Sequence, residues 1–241
     1  MCIILFAFDP DSERPLVLLA NRDEYYNRPS IAANYWSDVP GICGGRDLIG
    51  GGSWLGVTRT GRFAAVTNYR DPAAPSGSLS RGSLVADFLK SDEPAARYLE
   101  HIQAHSTQYS GFNLMVGQIS LSKKEIFYYS NRGGAPRDLN AGIYGLSNAL
   151  LDAPWPKVIR GKAQLTLALE TENVSNDDLF HILADESFAM DEDLPSTGIS
   201  YEVEKALSAT FIKTPGYGTR CSTVLKFNRD GEWSFDERVF V

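Results

Sequence analysis

Histidine and cysteine are scarce in this 241-residue chain, at three each. Cys2, Cys43 and Cys221 cannot all pair with one another and their spacing matches no zinc pattern, so reduced thiols in a cytoplasmic setting are the expected state. No apolar run approaches the roughly 20 residues of a membrane-spanning helix, so membrane insertion is not expected. The apolar run near the amino terminus is broken by Asp9-Pro10 and follows no basic segment, which argues against a secretory signal. Positive charge is also in short supply. The formal net charge of −7 disfavours nucleic acid or an anionic membrane as the main partner, because both require a basic footprint. Repeats and an interdomain linker are absent, so residues 1–241 read as one domain, long enough to bury a sizeable core.

What is present is the composition of an ordinary globular protein, 43% apolar and 22% charged. The first two apolar runs, Ile3–Phe8 and Leu16–Ala20, flank a turn rich in Asp, Pro and Ser and predict a β-hairpin. If Phe8 faces Leu16, paired positions sum to twenty-four and Cys2 lies opposite Arg22, although a slip of one residue would separate them. A loop-rich stretch, Tyr25 to Gly45, follows. A second hairpin turns at Thr58–Arg62, and its outgoing arm ends at Asn68. The glycines at 50–52 lack the Lys-Ser/Thr of a phosphate-binding loop, so turns and close backbone approach explain them better.

Pro72–Ser80 reads as a surface linker. Helical patterns cover about Ser83–Lys90 and Ala95–His105, strands Asn113–Ser120, Lys124–Ser130 and Gly142–Leu146, and helices Trp155–Leu169 and Asn176–Ala184. Trp155 precedes a proline at the favoured first-turn position. An acidic loop, Asp185 to Ser196, precedes a final hairpin of Gly216–Asn228 and Glu232–Phe240. With hairpins dominant, the class is antiparallel α+β. Two antiparallel sheets between helical layers would use every element, but periodicity alone does not fix that stacking.

Removal of Met1 would leave the Cys2 thiol beside a free α-amine. The reference pKa of that amine, roughly 7.7–8.0, is close to the thiol's value of about 8.5, so the amine could serve as a built-in base. A cationic Arg22 nearby would favour the thiolate. The competing reading is a small buried apolar side chain in a strand. Arg22 and Asp23 can equally pair with each other, Asn68 and Asn148 can serve turns, and Arg220 can be a surface charge. His101 and His105 stand at i and i+4 but lack the glutamate of a zinc-protease motif, so a solvated helix face is the better reading.

The Met-Cys start and the tetrad Asn21-Arg22-Asp23-Glu24 resemble the transport and Golgi organisation protein 2 family, also called the NRDE family. So do Gly51–Gly56, Thr67–Arg70, Ser80-Arg81-Gly82, Gly145–Asn148, Asp152–Lys157 and Tyr217–Arg220. That family looks like a branch of the N-terminal-nucleophile hydrolases, which implies a four-layer αββα sandwich and a mechanism like that of bile-salt hydrolases and penicillin V acylases. On that resemblance Cys2 is the nucleophile, Asp23 orients the α-amine and Arg22 lowers the thiol pKa. Asn68 and Asn148 correspond to the oxyanion and amine-positioning asparagines, and Arg220 to a late arginine beside the nucleophile. The implied activity is an amidohydrolase or acyltransferase acting on a small amide or acylated compound, with no cofactor required. The alternative is a non-catalytic protein that binds haem or an acyl-lipid in the same cleft, for which His101, His105 and His181 are candidate axial ligands without a motif.

Overall fold

The computed structural model of the chain describes residues 2–171 and 173–241, with Cys2 described through its backbone alone. Met1, whose removal the nucleophile reading requires, lies outside the described residues. The elements begin with β1 (Cys2–Phe8), β2 (Leu16–Tyr25), β3 (Ser30–Tyr35), β4 (Ile42–Asp47), β5 (Leu55–Thr58) and β6 (Arg62–Asn68), then helices α1 (Arg81–Lys90) and α2 (Ala95–Ala104). Strands β7 (Phe112–Ile119), β8 (Lys124–Ser130), β9 (Arg137–Asp138) and β10 (Gly142–Leu146) follow. Helices α3 (Pro156–Leu169), α4 (Asn176–Leu183) and α5 (Tyr201–Ala206) precede β11 (Lys213–Thr214), β12 (Tyr217–Phe227) and β13 (Trp233–Val239).

The strands form two antiparallel sheets. One has the order β10-β1-β2-β12-β11, with β13 also paired to β12; the other runs β3-β4-β5-β6-β7-β8-β9. Alternation along each strand decides what lies on either side. Ile4, Phe6, Phe8, Leu18 and Leu225 of the first sheet meet Val57, Phe63, Met115 and Ile126 of the second in a core between the sheets. The intervening positions Ile3, Leu5, Val17, Leu19 and Val224 pack outward against Leu165 of α3 and Leu179 and Leu183 of α4. On the far side, Ala64, Leu114 and Val116 pack against Leu84 and Phe88 of α1 and Leu99 of α2. The result is the four-layer αββα sandwich of two antiparallel sheets between helical layers.

The opening hairpin has the expected register, from Phe8 opposite Leu16 to Cys2 opposite Arg22. Its turn is closed by Asp9, whose carbonyl accepts the Ser12 N–H at 3.1 Å and whose Oδ1 accepts the Asp11 N–H at 3.0 Å. The α3 helix begins at Pro156 with Trp155 at its N-cap, and α4 carries a reciprocal Ser175/Asp178 capping box.

One expectation needs correction, and one element was not expected. The stretch Tyr25–Gly45 contains the end of β2, all of β3 and most of β4. As the terminal strand of the seven-stranded order, β3 leaves Ile31 and Tyr35 exposed, so it lacks the apolar alternation that signals a strand. Residues 201–206 form α5, whose six residues are too few to set up a helical periodicity; Ser200 caps it by accepting the Val203 N–H at 3.4 Å. The supposed linker is also part of a wall. Leu79 bridges to Tyr109, and the Gly77 N–H donates to Ser110 Oγ at 2.8 Å.

Phe63 and Phe227 meet across the two sheets with ring centroids 5.8 Å apart, both nearly inaccessible to solvent. Phe63→Ala is expected to cost about 3–5 kcal/mol in urea unfolding, because the rigid sheets cannot collapse onto the void. A loss under about 1 kcal/mol would mean that the sheets do not rest on this contact.

Candidate active site

Adjacent strand positions bring the amino-terminal tetrad to the end of the first sheet. Arg22 on β2 lies opposite Cys2 on β1 and opposite Cys221 on β12, so the three positions form one row across three strands. Next along β2, Asp23 pairs with Thr219, and the register shifts between Thr219 and Cys221 so that Arg220 occupies a β-bulge.

Arg22 is only 5% exposed, and its guanidinium is satisfied on several sides. Nη1 donates to Ser30 Oγ at 3.2 Å, Nη2 lies 3.5 Å from Asp47 Oδ2, and Trp54 lies beneath the guanidinium at 4.1 Å from its ring centroid. Asp47 is shared with Arg28, which donates from both Nε and Nη2. Burial acts upward on the Asp47 carboxyl, but the Arg28 hydrogen bond and the Gly50 N–H outweigh it and hold the pKa below the usual range. Arg22 is therefore a fixed cation beside the Cys2 position.

Asp23 is 2% exposed. Its Oδ1 accepts the Thr219 hydroxyl at 2.7 Å, Thr219 Oγ1 in turn accepts the Ile212 N–H at 2.9 Å, and the Asp23 carbonyl accepts the Tyr217 hydroxyl at 3.1 Å. Burial pushes the Asp23 carboxyl up to about 6, against the opposing pull of Lys157 and the Thr219 hydrogen bond. Lys157 is itself buried at the start of α3 and donates to the carbonyls of Leu207 at 2.9 Å and Ala209 at 3.4 Å. Asn21 donates to Thr210 O and Leu183 O, both at 2.8 Å. Asn21, Lys157 and Thr219 thus hold one buried strap, residues 207–212, against β2.

The two asparagines come from different sheets, Asn68 at the end of β6 and Asn148 just after β10. They meet because Asn148 Nδ2 donates to the Asn68 carbonyl at 2.8 Å. Beneath them, Thr67 Oγ1 donates to Ser147 O at 2.6 Å, while Asn113 Nδ2 donates to Thr67 Oγ1 at 3.1 Å and to Ala149 O at 2.9 Å. This buried network closes one end of the sandwich. Asn68 lines the cavities described below, whereas Asn148 is 1% exposed and is not among their lining residues.

Arg220 sits in the bulge beside Cys221, and its hydrogen bonds go to backbone. Its guanidinium donates to the backbone carbonyls of Arg28, Tyr25 and Val241, tying the loop after β2 to the carboxyl terminus. Burial, followed by the nearby Arg22 charge, lowers its pKa. It is close enough to Arg22 to be felt electrostatically, but its bonds are those of a backbone clamp.

Two cavities share this end of the molecule. A polar one of about 370 Å³ is lined by Arg22, Asp23, Ser53, Trp54 and Asn68, with Ser80-Arg81-Gly82 at the start of α1. That helix start can approach because Gly52 has no side chain, and a Cβ there would lie 2.2 Å from the Gly82 carbonyl carbon. A larger, mainly apolar cleft of about 780 Å³ is lined by residues including Tyr25, Tyr69, Pro72, Val203 and Leu207. Glu24, Arg28, Asn68 and Arg81 border both. His101, His105 and His181 are exposed and line neither, and the rings of His101 and His105 meet at a tilt, with centroids 4.6 Å apart. Among the described residues no group of three or more His, Cys, Asp or Glu could hold a metal ion, and no helix is long and apolar enough to cross a membrane.

Sequence reasoning assigned no role to Trp54, Tyr69 or Trp155. The structure sets Trp54 under Arg22, lines the apolar cleft with Tyr69, and puts Trp155 against Arg70. Asp47, Thr219 and Lys157 also escaped it, since nothing in their local sequence indicates which buried group each one meets.

The Transport and Golgi organisation 2 family matches residues 1–241. The Transport and Golgi organization protein 2 homolog of Bos taurus is 39% identical over 261 aligned residues, covering 100% of this chain and 94% of that protein. Among solved structures, the chain is similar to a Caenorhabditis elegans N-acylethanolamine-hydrolyzing acid amidase ortholog, with 12% identity and a TM-score of 0.54 over 100% of both chains. It is also similar to a variant of conjugated bile acid hydrolase from Clostridium perfringens, with 10% identity and a TM-score of 0.54 over 99% of this chain and 96% of that one. At such identities the likeness is one of fold, the N-terminal-nucleophile hydrolase sandwich. Matched along its whole length, the chain belongs to the Transport and Golgi organisation 2 family.

Proposed function

We propose that this protein is a cysteine amidohydrolase or acyltransferase of the N-terminal-nucleophile type, acting on a small amide or acylated compound, with Cys2 as nucleophile once Met1 is removed. The observation that carries the reading is the strand register that sets Cys2 opposite a buried, fixed Arg22 beside a polar cavity. Acyl transfer requires a nucleophile, a base that returns a proton to the leaving group, and donors where the oxyanion develops. Cys2, its own α-amine and the Asn68 carboxamide would supply one of each. The guanidinium of Arg22 favours thiolate, and an ionised Asp23 favours the ammonium form of the amine.

A second reading, a non-catalytic binder of an acyl-lipid, is favoured by the apolar cleft adjoining the polar cavity. For haem the same reading has less support, because the three histidines expected as ligands stand away from both cavities.

Intact mass of the purified protein, before and after brief iodoacetamide treatment at pH 7 with the labelled peptide mapped, decides between the two. The amidohydrolase reading expects loss of one methionine and labelling of Cys2 ahead of Cys43, whose thiol pKa burial raises. A Cys2 no more reactive than Cys43 would sink it and turn attention to acyl-lipid binding.

Asp23 gives a second test. With a folded-state pKa of about 6 against an ordinary 3.8, the native state binds a proton more tightly than the unfolded chain, so this group's stabilising contribution is full at low pH and is lost as pH rises through 6. Asp23→Asn removes that loss. Its stability relative to the unsubstituted protein should therefore rise between pH 4 and pH 7, by up to about 3 kcal/mol in urea unfolding. A difference that stays constant over that range would show that the carboxyl is not held near neutrality.

A further inference from the structure

We propose that the buried ion pair between Arg70 and Glu204 is a positioning device for Asn68, an inference that rests on the amidohydrolase reading. Arg70 lies two residues beyond Asn68, and Glu204 lies on α5, the short helix that helps wall the apolar cleft. The pair is in direct contact, with side chains only 5% and 6% exposed. Pairs this deeply buried contribute little net stability compared with well-packed apolar residues, so a geometric role is the better account of its presence.

The bonds around the pair show what it fixes. On one side, the Arg70 guanidinium stacks 4.7 Å from the ring centroid of Trp155, the N-cap residue of α3. On the other, Glu204 is anchored within its own segment, because its Oε1 accepts the N–H and the hydroxyl of Thr197 and its N–H donates to Ser200 O at 2.9 Å. Held between a helix start and α5, the Arg70 backbone donates its N–H to the Asn148 carbonyl at 2.7 Å. Asn148 Nδ2 returns a hydrogen bond to the Asn68 carbonyl at 2.8 Å. The path from Glu204 to Arg70, Asn148 and Asn68 is continuous, and only Asn68 and Arg70 of the four line the cavities. Asn148 is thus a positioning residue as well, one of its two amide hydrogens being used on the backbone of the residue that meets the cavity.

The consequence is chemical. A carboxamide that stabilises an oxyanion must donate to it from about 2.7–3.1 Å, and a displacement of about 1 Å from that position costs up to about 100-fold in rate. Loosening the pair should impair reactions at Cys2 that pass through a tetrahedral oxyanion and spare those that do not.

Two reagents separate these on the full chain with its native processing. In acylation by p-nitrophenyl acetate, the Cys2 sulfur forms a bond to the carbonyl carbon through an oxyanion. The C–O bond then breaks, p-nitrophenolate leaves with the electron pair, and the thiol proton passes to the α-amine. Alkylation by iodoacetamide displaces iodide directly and reads thiolate alone. The double variant Arg70→Met/Glu204→Leu, which leaves no buried charge unpaired, is expected to lower the ratio of acylation to alkylation at Cys2 by about 10- to 100-fold, with alkylation unchanged. Arg70→Lys, which keeps the charge but not the planar fork, should fall between. Glu204→Gln keeps the shape and serves as the second test should the double variant fail to fold by circular dichroism. An unchanged ratio in a folded variant, or equal loss of both rates, overturns the positioning role. Alkylation of the unsubstituted protein without acylation overturns the amidohydrolase reading instead.

Discussion

The antiparallel register of β1, β2 and β12 is the constraint on which the site depends. Because directly opposed residues are fixed by backbone hydrogen bonds, Cys2, Arg22 and Cys221 are held in one row by the ladder itself. A slip of one residue would exchange the two faces of β2 and bring Arg22 and Asp23 to the wrong sides of the sheet. Such a slip would turn Leu16 and Leu18 away from the intersheet core towards the helical layer, so the same apolar burial that stabilises the sandwich also fixes the site's geometry. The bulge at Arg220 is accommodated within this ladder, and its extra residue ties the loop after β2 to the chain end.

Several charged side chains at this end of the molecule are buried, among them Arg22, Asp23, Lys157 and Glu204. Arg22 and Arg28 share the carboxylate of Asp47, Asp23 is held by Thr219 and influenced by Lys157, and Arg70 meets Glu204. Groups that lose hydration in this way are costly unless paired and fixed, which is the usual condition of a site that must not reorganise when it acts. An upward-shifted Asp23 carboxyl is the clearest instance, because a fold selected for stability alone would place a neutral side chain there. The two adjoining cavities differ in character, one polar with serine hydroxyls and arginines, the other mainly apolar, and Asn68 stands where they meet.

Most of the framework was legible in the sequence. The Phe8–Leu16 turn, the Thr58–Arg62 turn and the Asn228–Gly231 turn each fixed a hairpin, because apolar alternation and turn residues are local signals. Strand β3 and helix α5 were not legible, the first because both its faces are partly exposed and the second because it is shorter than two turns. The four-layer stacking came through the family resemblance and not through periodicity. Arg22 and Asp23 could be picked out by motif, but whether Arg220 faced a thiol or a backbone could not.

By itself the sequence determined which neighbouring runs pair and which register is the natural one, Cys2 opposite Arg22, because turn residues and a two-residue side-chain period are local signals; the structure selected that register over a one-residue slip. Only the tertiary structure decided what reaches the site from far along the chain. It brought Asn148 from one sheet to Asn68 of the other, Trp54 and Asp47 to Arg22, Lys157 and Thr219 to the neighbourhood of Asp23, and Glu204 to Arg70. These meetings follow from how two sheets and two helical layers pack, and packing depends on the summed shape of many side chains and not on any local pattern.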